Sequence, residues 1–171
     1  MIIRLTEKLR RKIKAPKLEY HRPVADNPFS DWTSHLFTAD RVQYIILTHS
    51  VSLYSVVMYG KGIADDSTYT SRVLDALREF MIDDQREHMY RLRIAPLIST
   101  IKFSKTGDRR VLGSINDMVF LAKVNMIEGN LSPYDVSFKL NETPFSMLDY
   151  HDPAKVINDL FVESVSEKIQ K

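Results

Sequence analysis

Residues Arg41 to Gly60 read R-V-Q-Y-I-I-L-T-H-S-V-S-L-Y-S-V-V-M-Y-G. Two runs rich in β-branched and aromatic residues, at about 42–48 and 53–58, flank a short polar tip, which is the pattern of a β-hairpin. A strand with one face in water alternates apolar and polar side chains. These two barely alternate: Val42, Tyr44, Ile46 and Thr48 share one face, and Gln43, Ile45 and Leu47 share the other. Both faces of the sheet are therefore expected to be covered. The tip, Thr48-His49-Ser50-Val51-Ser52, has no Gly, which favours a loop of roughly four or five residues around a type I turn. The fold class that follows is α+β. A small, mainly antiparallel sheet has this hairpin at its centre and a third strand at about 97–104 (L-I-S-T-I-K-F-S), with about four to six helices packed on it.

The rest of the chain supplies those helices. Met1 to Leu5 is an apolar opening suited to an edge strand, and Thr6 caps a helix whose Leu9 and Ile13 face inward. Pro16 ends it, and Lys17 to Ser30 is a loop. Trp32, Leu36 and Phe37 add apolar mass before the hairpin, Trp32 as a core anchor. Asp66 or Ser67 starts a helix that buries Val73, Leu77, Phe80 and Met81. A second helix or irregular extension follows at 85–94. Ser114 is expected to cap a helix ending near Gly129, and Ser132-Pro133 and Asp152-Pro153 open two more.

At 171 residues, with 44% hydrophobic and 27% charged residues, the chain is expected to be one domain spanning 1–171, with a core of its own. No run approaches the roughly 18 apolar residues needed to span a bilayer, so no membrane partner is expected. The N-terminus carries charges where a signal peptide has its apolar core, so the expected location is cytoplasmic. Absence of Cys excludes disulfides, thiolate metal sites and thiol nucleophiles. Net charge is only +2, but residues 1–22 hold eight cations against Glu7 and Glu19, a net +6, leaving −4 on the remainder.

Five blocks carry a resemblance: M-I-I-R-L-T-E-K-L (Met1 to Leu9), D-W-T-S-H-L-F-T-A-D-R (Asp31 to Arg41), S-L-Y-S-V-V-M (Ser52 to Met58), V-L-G-S-I-N-D-M-V (Val111 to Val119) and S-P-Y-D-V-S-F-K-L-N-E-T-P (Ser132 to Pro144). Together they resemble a bacterial family of short proteins classed as a domain of unknown function. The resemblance spans most of the chain and implies a single bacterial or mobile-element domain of cytoplasmic type. It implies no activity.

Three function classes remain. The first is a non-enzymatic protein-interaction or regulatory module. The aromatic-rich stretch 136–150 either packs on the core or offers Phe138, Phe145, Met147, Leu148 and Tyr150 to a protein partner, and the last helix is suited to pairing in a homodimer. The second is a nucleic-acid-binding protein or toxin-like nuclease. Lys8, Arg10, Arg11, Lys12 and Lys14 on the first helix would neutralise phosphates, joined by Arg109 and Arg110 if their turn folds toward the N-terminus. The third is an enzyme. None of the five histidines has H-x-x-x-H or H-E-x-x-H spacing, and G-K-G at 60–62 lacks the register of a phosphate loop. Asp31, His35 and Asp40 are the residues left for acid–base or metal work, in a stretch without helical periodicity. No metal and no cofactor is expected.

Overall fold

The computed structural model describes residues 1–23 and 27–169. Residues 24–26, inside the loop expected at 17–30, lie outside the described residues. Among the described residues five strands form one open sheet. They are β1 (Ile2–Leu5), β2 (Asp31–Ala39), β3 (Val42–His49), β4 (Ser55–Tyr59) and β5 (Lys102–Lys105), in the order β4-β3-β2-β1-β5. The longer ladders, β2–β3 and β3–β4, are antiparallel, and β1 runs parallel to β2 and to β5. Six helices accompany them: α1 (Glu7–Lys12), α2 (Asp66–Asp83), α3 (Glu87–Met89), α4 (Arg109–Ile127), α5 (Pro133–Asn141) and α6 (Pro153–Ile169). The class is α+β, as expected.

Both faces of the sheet are covered. Ile3, Trp32, Ile45 and Leu47 pack with Leu9 of α1 and with Val73, Leu77 and Phe80 of α2. Phe37, Tyr44, Ile46 and Val57 pack on the other side with Val111, Ile115 and Met118 of α4 and Val136 and Leu140 of α5. This is why the hairpin strands lack alternation: from Tyr44 to His49 and from Ser55 to Val57 every residue, on either face, is buried.

The hairpin of residues 42–59 forms, but at one border of the sheet rather than its centre. A longer hairpin, β2–β3, turns in two residues between Ala39 and Val42. Asp40 (φ 42°) and Arg41 (φ 65°) are both left-handed, the backbone of a type I′ turn made without its usual glycine. The strand expected at 97–104 is confined to Lys102–Lys105, because Ala95–Thr100 coils into a 3₁₀ helix behind Pro96. It joins β1, not the hairpin. β1, expected at an edge, is internal. α4 begins at Arg109, capped by Asp108 rather than by Ser114, which is buried within it.

The β4 border is closed by side chains. The Asn141 amide donates to the Ser55 carbonyl (2.7 Å) and its Oδ1 accepts from the Ser55 amide (2.8 Å), while Ser137 Oγ accepts from the Val57 amide (2.8 Å). α5 thus takes the place of a neighbouring strand and masks an edge that would invite pairing. Asn141→Ala strands two buried backbone groups and is expected to lower the unfolding free energy by roughly 2–4 kcal/mol in urea denaturation.

At the tip of β3–β4, His49 is fully buried beside Trp32 (ring centroids 5.0 Å apart). Its Nε2 donates to the Pro28 carbonyl (2.7 Å), and its Nδ1 accepts from the Ser52 hydroxyl (2.7 Å) and amide (3.2 Å). Burial pushes its pKa down to about 4. The unfolded chain therefore takes up a proton first, and the stability that neutral His49 contributes is complete above about pH 6.5 and lost as pH falls toward 4. Between pH 7 and 4.5 this single group is expected to cost roughly 2–3 kcal/mol in denaturant titrations. His49→Gln is expected to flatten that part of the curve.

Candidate functional site

The sequence I-I-R-L places one charge inside a buried strand. Arg4 is 5% exposed, as is Asp31 at the start of β2. The guanidinium donates Nε and Nη2 to the Asp31 carboxylate (2.6 to 3.1 Å), Nη1 to Ser104 Oγ (3.1 Å) and the Lys105 carbonyl (3.2 Å), and Nη2 to the His21 carbonyl (2.9 Å). Ser50 Oγ donates to the far side of Asp31 (2.8 Å). One buried ion pair so joins β1, β2, β5 and the segment after α1. The His21 amide donates to Ser104 Oγ and the Lys105 amide to the Glu19 carbonyl, which ties that segment along β5.

The consequence lies at the carboxyl ends of β1 and β5. From β1 the chain passes to α1 on one face, and from β5 to α4 on the other. Adjacent parallel strands that send their connections to opposite faces leave a crevice between them. Here it is a cavity of about 520 Å³ lined by Glu7, Arg10, Lys17, Lys105 and Thr106 with Leu5 and Leu18. Glu7, its one carboxylate among the described residues, is already shared by Arg10 and Arg11 (2.8 Å each), and those hydrogen bonds hold its pKa down at about 2. The crevice is therefore cationic. Tyr20, 53% exposed, lines a neighbouring cleft that shares Thr106 with this one, and lies over Arg4 (5.0 Å to the ring centroid). Gly107 packs on the Tyr20 ring, and a Cβ there would sit 2.4 Å from it.

The seven basic residues singled out from the sequence are spread around this region. Arg10 lines the crevice and Arg11 leans on Glu7. Arg109 and Arg110 are exposed in the first turn of α4, three and four residues beyond Thr106, with Arg110 beside Asp108 (3.6 Å). Lys12 donates to Gln43 (2.7 Å), and Lys14 interacts with Asp65. Lys8 lies in a separate cleft between α1 and α4. Lys17 and Lys105 enter the site from outside the seven; pairing of β5 with β1 brings Lys105 there, and no local pattern announces it.

Asp31, His35 and Asp40 are not brought together. Asp31 and His35 are four residues apart on one strand, about 13 Å. Asp31 is committed to Arg4, and Asp40 sits in the exposed turn. His35 is half-buried, with Nδ1 3.2 Å from Thr6 Oγ1. Burial and the charges of Lys8 and Lys123 lower its pKa. Among the described residues no group of three or more His, Asp or Glu is placed to hold a metal ion. No described helix is long and apolar enough to cross a membrane.

Of the five aromatic and apolar anchors, Phe145 and Leu148 are buried under α4, Met147 packs beside them, and Phe138 packs at a tilt of 60° against Phe80 (ring centroids 4.7 Å apart). Tyr150 stands out, 75% exposed, held by two consecutive left-handed residues, Asp149 and itself.

A family model described as "Domain of unknown function (DUF6933)" matches residues 2–156. No curated protein and no solved structure matched the chain.

Proposed function

The chain belongs to that family of domains of unknown function, and we propose that it is a non-enzymatic binding module that holds a single nucleic-acid strand across the cationic crevice. The observation that carries this reading is the convergence of Arg10, Lys17 and Lys105 on one cavity whose sole carboxylate among the described residues is already paired. A backbone phosphate there would meet uncompensated positive charge, and Arg109 and Arg110 extend the charge along the strand's path. Tyr20, in the cleft that adjoins the crevice at Thr106, supplies an aromatic face on which a base can stack, the combination used in binding single strands without sequence preference. Tyr150 favours a second reading, a protein contact: a large side chain is held in solvent by backbone that costs free energy.

Fluorescence anisotropy with a labelled single-stranded oligonucleotide tests the first reading. If about four phosphates are neutralised, a slope of about −0.7 per phosphate gives a roughly fifty-fold loss of affinity from about 50 to 200 mM salt. The double variant Lys17→Glu, Lys105→Glu is expected to bind at least tenfold more weakly at the low salt and to show a shallower slope. Absence of binding at low salt, or a double variant that binds as the parent does, removes the reading. Scission of the oligonucleotide by the parent protein would place the domain among nucleases instead.

A further inference from the structure

On the far side of α1 from the crevice, β1 stops pairing with β2 at Ser34, and along the edge of β2 left uncovered there α1 from one face and α4 from the other border a second cleft of about 380 Å³. Lys8 comes from α1, His35 and Thr38 from β2, and Asn116, Phe120 and Lys123 from α4. Every charged group in this lining is a cation: Lys8 and Lys123 flank His35, and β2 adds Leu36, Phe37 and Thr38 without a charge. Among the described residues neither lysine pairs with a carboxylate. Two ammonium groups set against a half-buried imidazole repel one another and hinder its protonation, so the folded chain bears an electrostatic cost that an anion would relieve. Beside them Phe120 is 66% exposed, one turn before Lys123 on the same side of α4. An aromatic face left in water next to unpaired cations matches a ligand with a flat ring at one end and a phosphate at the other.

We propose that this cleft is a nucleotide-binding pocket, with the phosphate of a nucleoside monophosphate held by Lys8, Lys123 and protonated His35, and the base stacked on Phe120. Thr38 and Asn116 supply neutral hydrogen-bonding groups around it. The site is separate from the crevice at β1 and β5 and does not depend on what that crevice binds. Because the bound dianion favours imidazolium, binding takes up a proton. For the dianion, affinity therefore rises as pH falls through the bound-state pKa of His35, until the phosphate takes up its own second proton at about pH 6.

The test is an NMR titration of the intact protein, following the His35 ring protons against pH with adenosine monophosphate, with inorganic phosphate and with neither. Adenosine monophosphate is expected to raise the apparent pKa of His35 by about one unit, which corresponds to about tenfold tighter binding of the dianion to the imidazolium form than to the neutral one. Lys123→Glu is expected to abolish the shift, Phe120→Ala to reduce the nucleotide to the affinity of inorganic phosphate, and Arg10→Ala to leave the shift in place. All three positions are solvent-accessible, and an unchanged thermal transition verifies that each variant is folded. A His35 titration indifferent to adenosine monophosphate overturns the proposal. So does parental binding of inorganic phosphate as tight as that of the nucleotide, which would leave the ring without a role.

Discussion

The arrangement of this domain depends on a guanidinium and a carboxylate taken out of water together. Arg4 and Asp31 each lose hydration that a single ion could not forgo inside a protein. Their geometry replaces it: the carboxylate takes two guanidinium nitrogens, and the remaining donors reach Ser104, Lys105 and His21. A buried pair of this kind adds little net stability over apolar residues of equal volume, but losing one partner leaves a buried charge uncompensated. What it contributes here is position. β1 is only four residues long, and slipping its register by one residue would turn Arg4 into the apolar layer of α1 and α2.

That positional role links the buried pair to the surface. With β1 locked between β2 and β5, the carboxyl ends of two parallel strands coincide, and Arg10, Lys17 and Lys105, distant in sequence, share one cavity. α1 then divides the basic surface in two. Arg10 faces the crevice at the strand ends, while Lys8 faces α4 and His35. The eight cations of the first 22 residues are thus not one solvated stripe: Arg10 and Lys17 line one concave site, Lys8 lines another, and Arg4 is buried against Asp31.

Much of the fold was legible because its signals are local. The apolar runs at 42–48 and 53–58, the Ser132-Pro133 cap and the stripe Val73, Leu77, Phe80 and Met81 act within their own segments, and each element formed. The misplacements arose where tertiary contact overrides propensity. A turn of two left-handed residues is announced by Asn-Gly or Asp-Gly, and Asp40-Arg41 offers no glycine, so β2 was hidden in plain apolar sequence. β1 reads as an edge from its position at the chain start, whereas parallel pairing with residues a hundred positions away makes it internal. Of the site, Arg10 was visible as part of a charge run. Lys105, Lys17 and Tyr20 were not, since nothing in K-F-S-K says which strand it will join. One clue was present: a lone charge in I-I-R-L and another before Trp32 both ask for a partner in the interior.

A double-mutant cycle on Arg4 and Asp31, read by urea denaturation, tests the central claim most directly. Arg4→Met and Asp31→Asn are each expected to lose roughly 3–5 kcal/mol, and the double variant to lose clearly less than the two together, with oligonucleotide binding lost alongside register in the single variants. Single variants within about 0.5 kcal/mol of the parent, with losses that simply add, would contradict it and leave the placement of β1 to apolar packing alone.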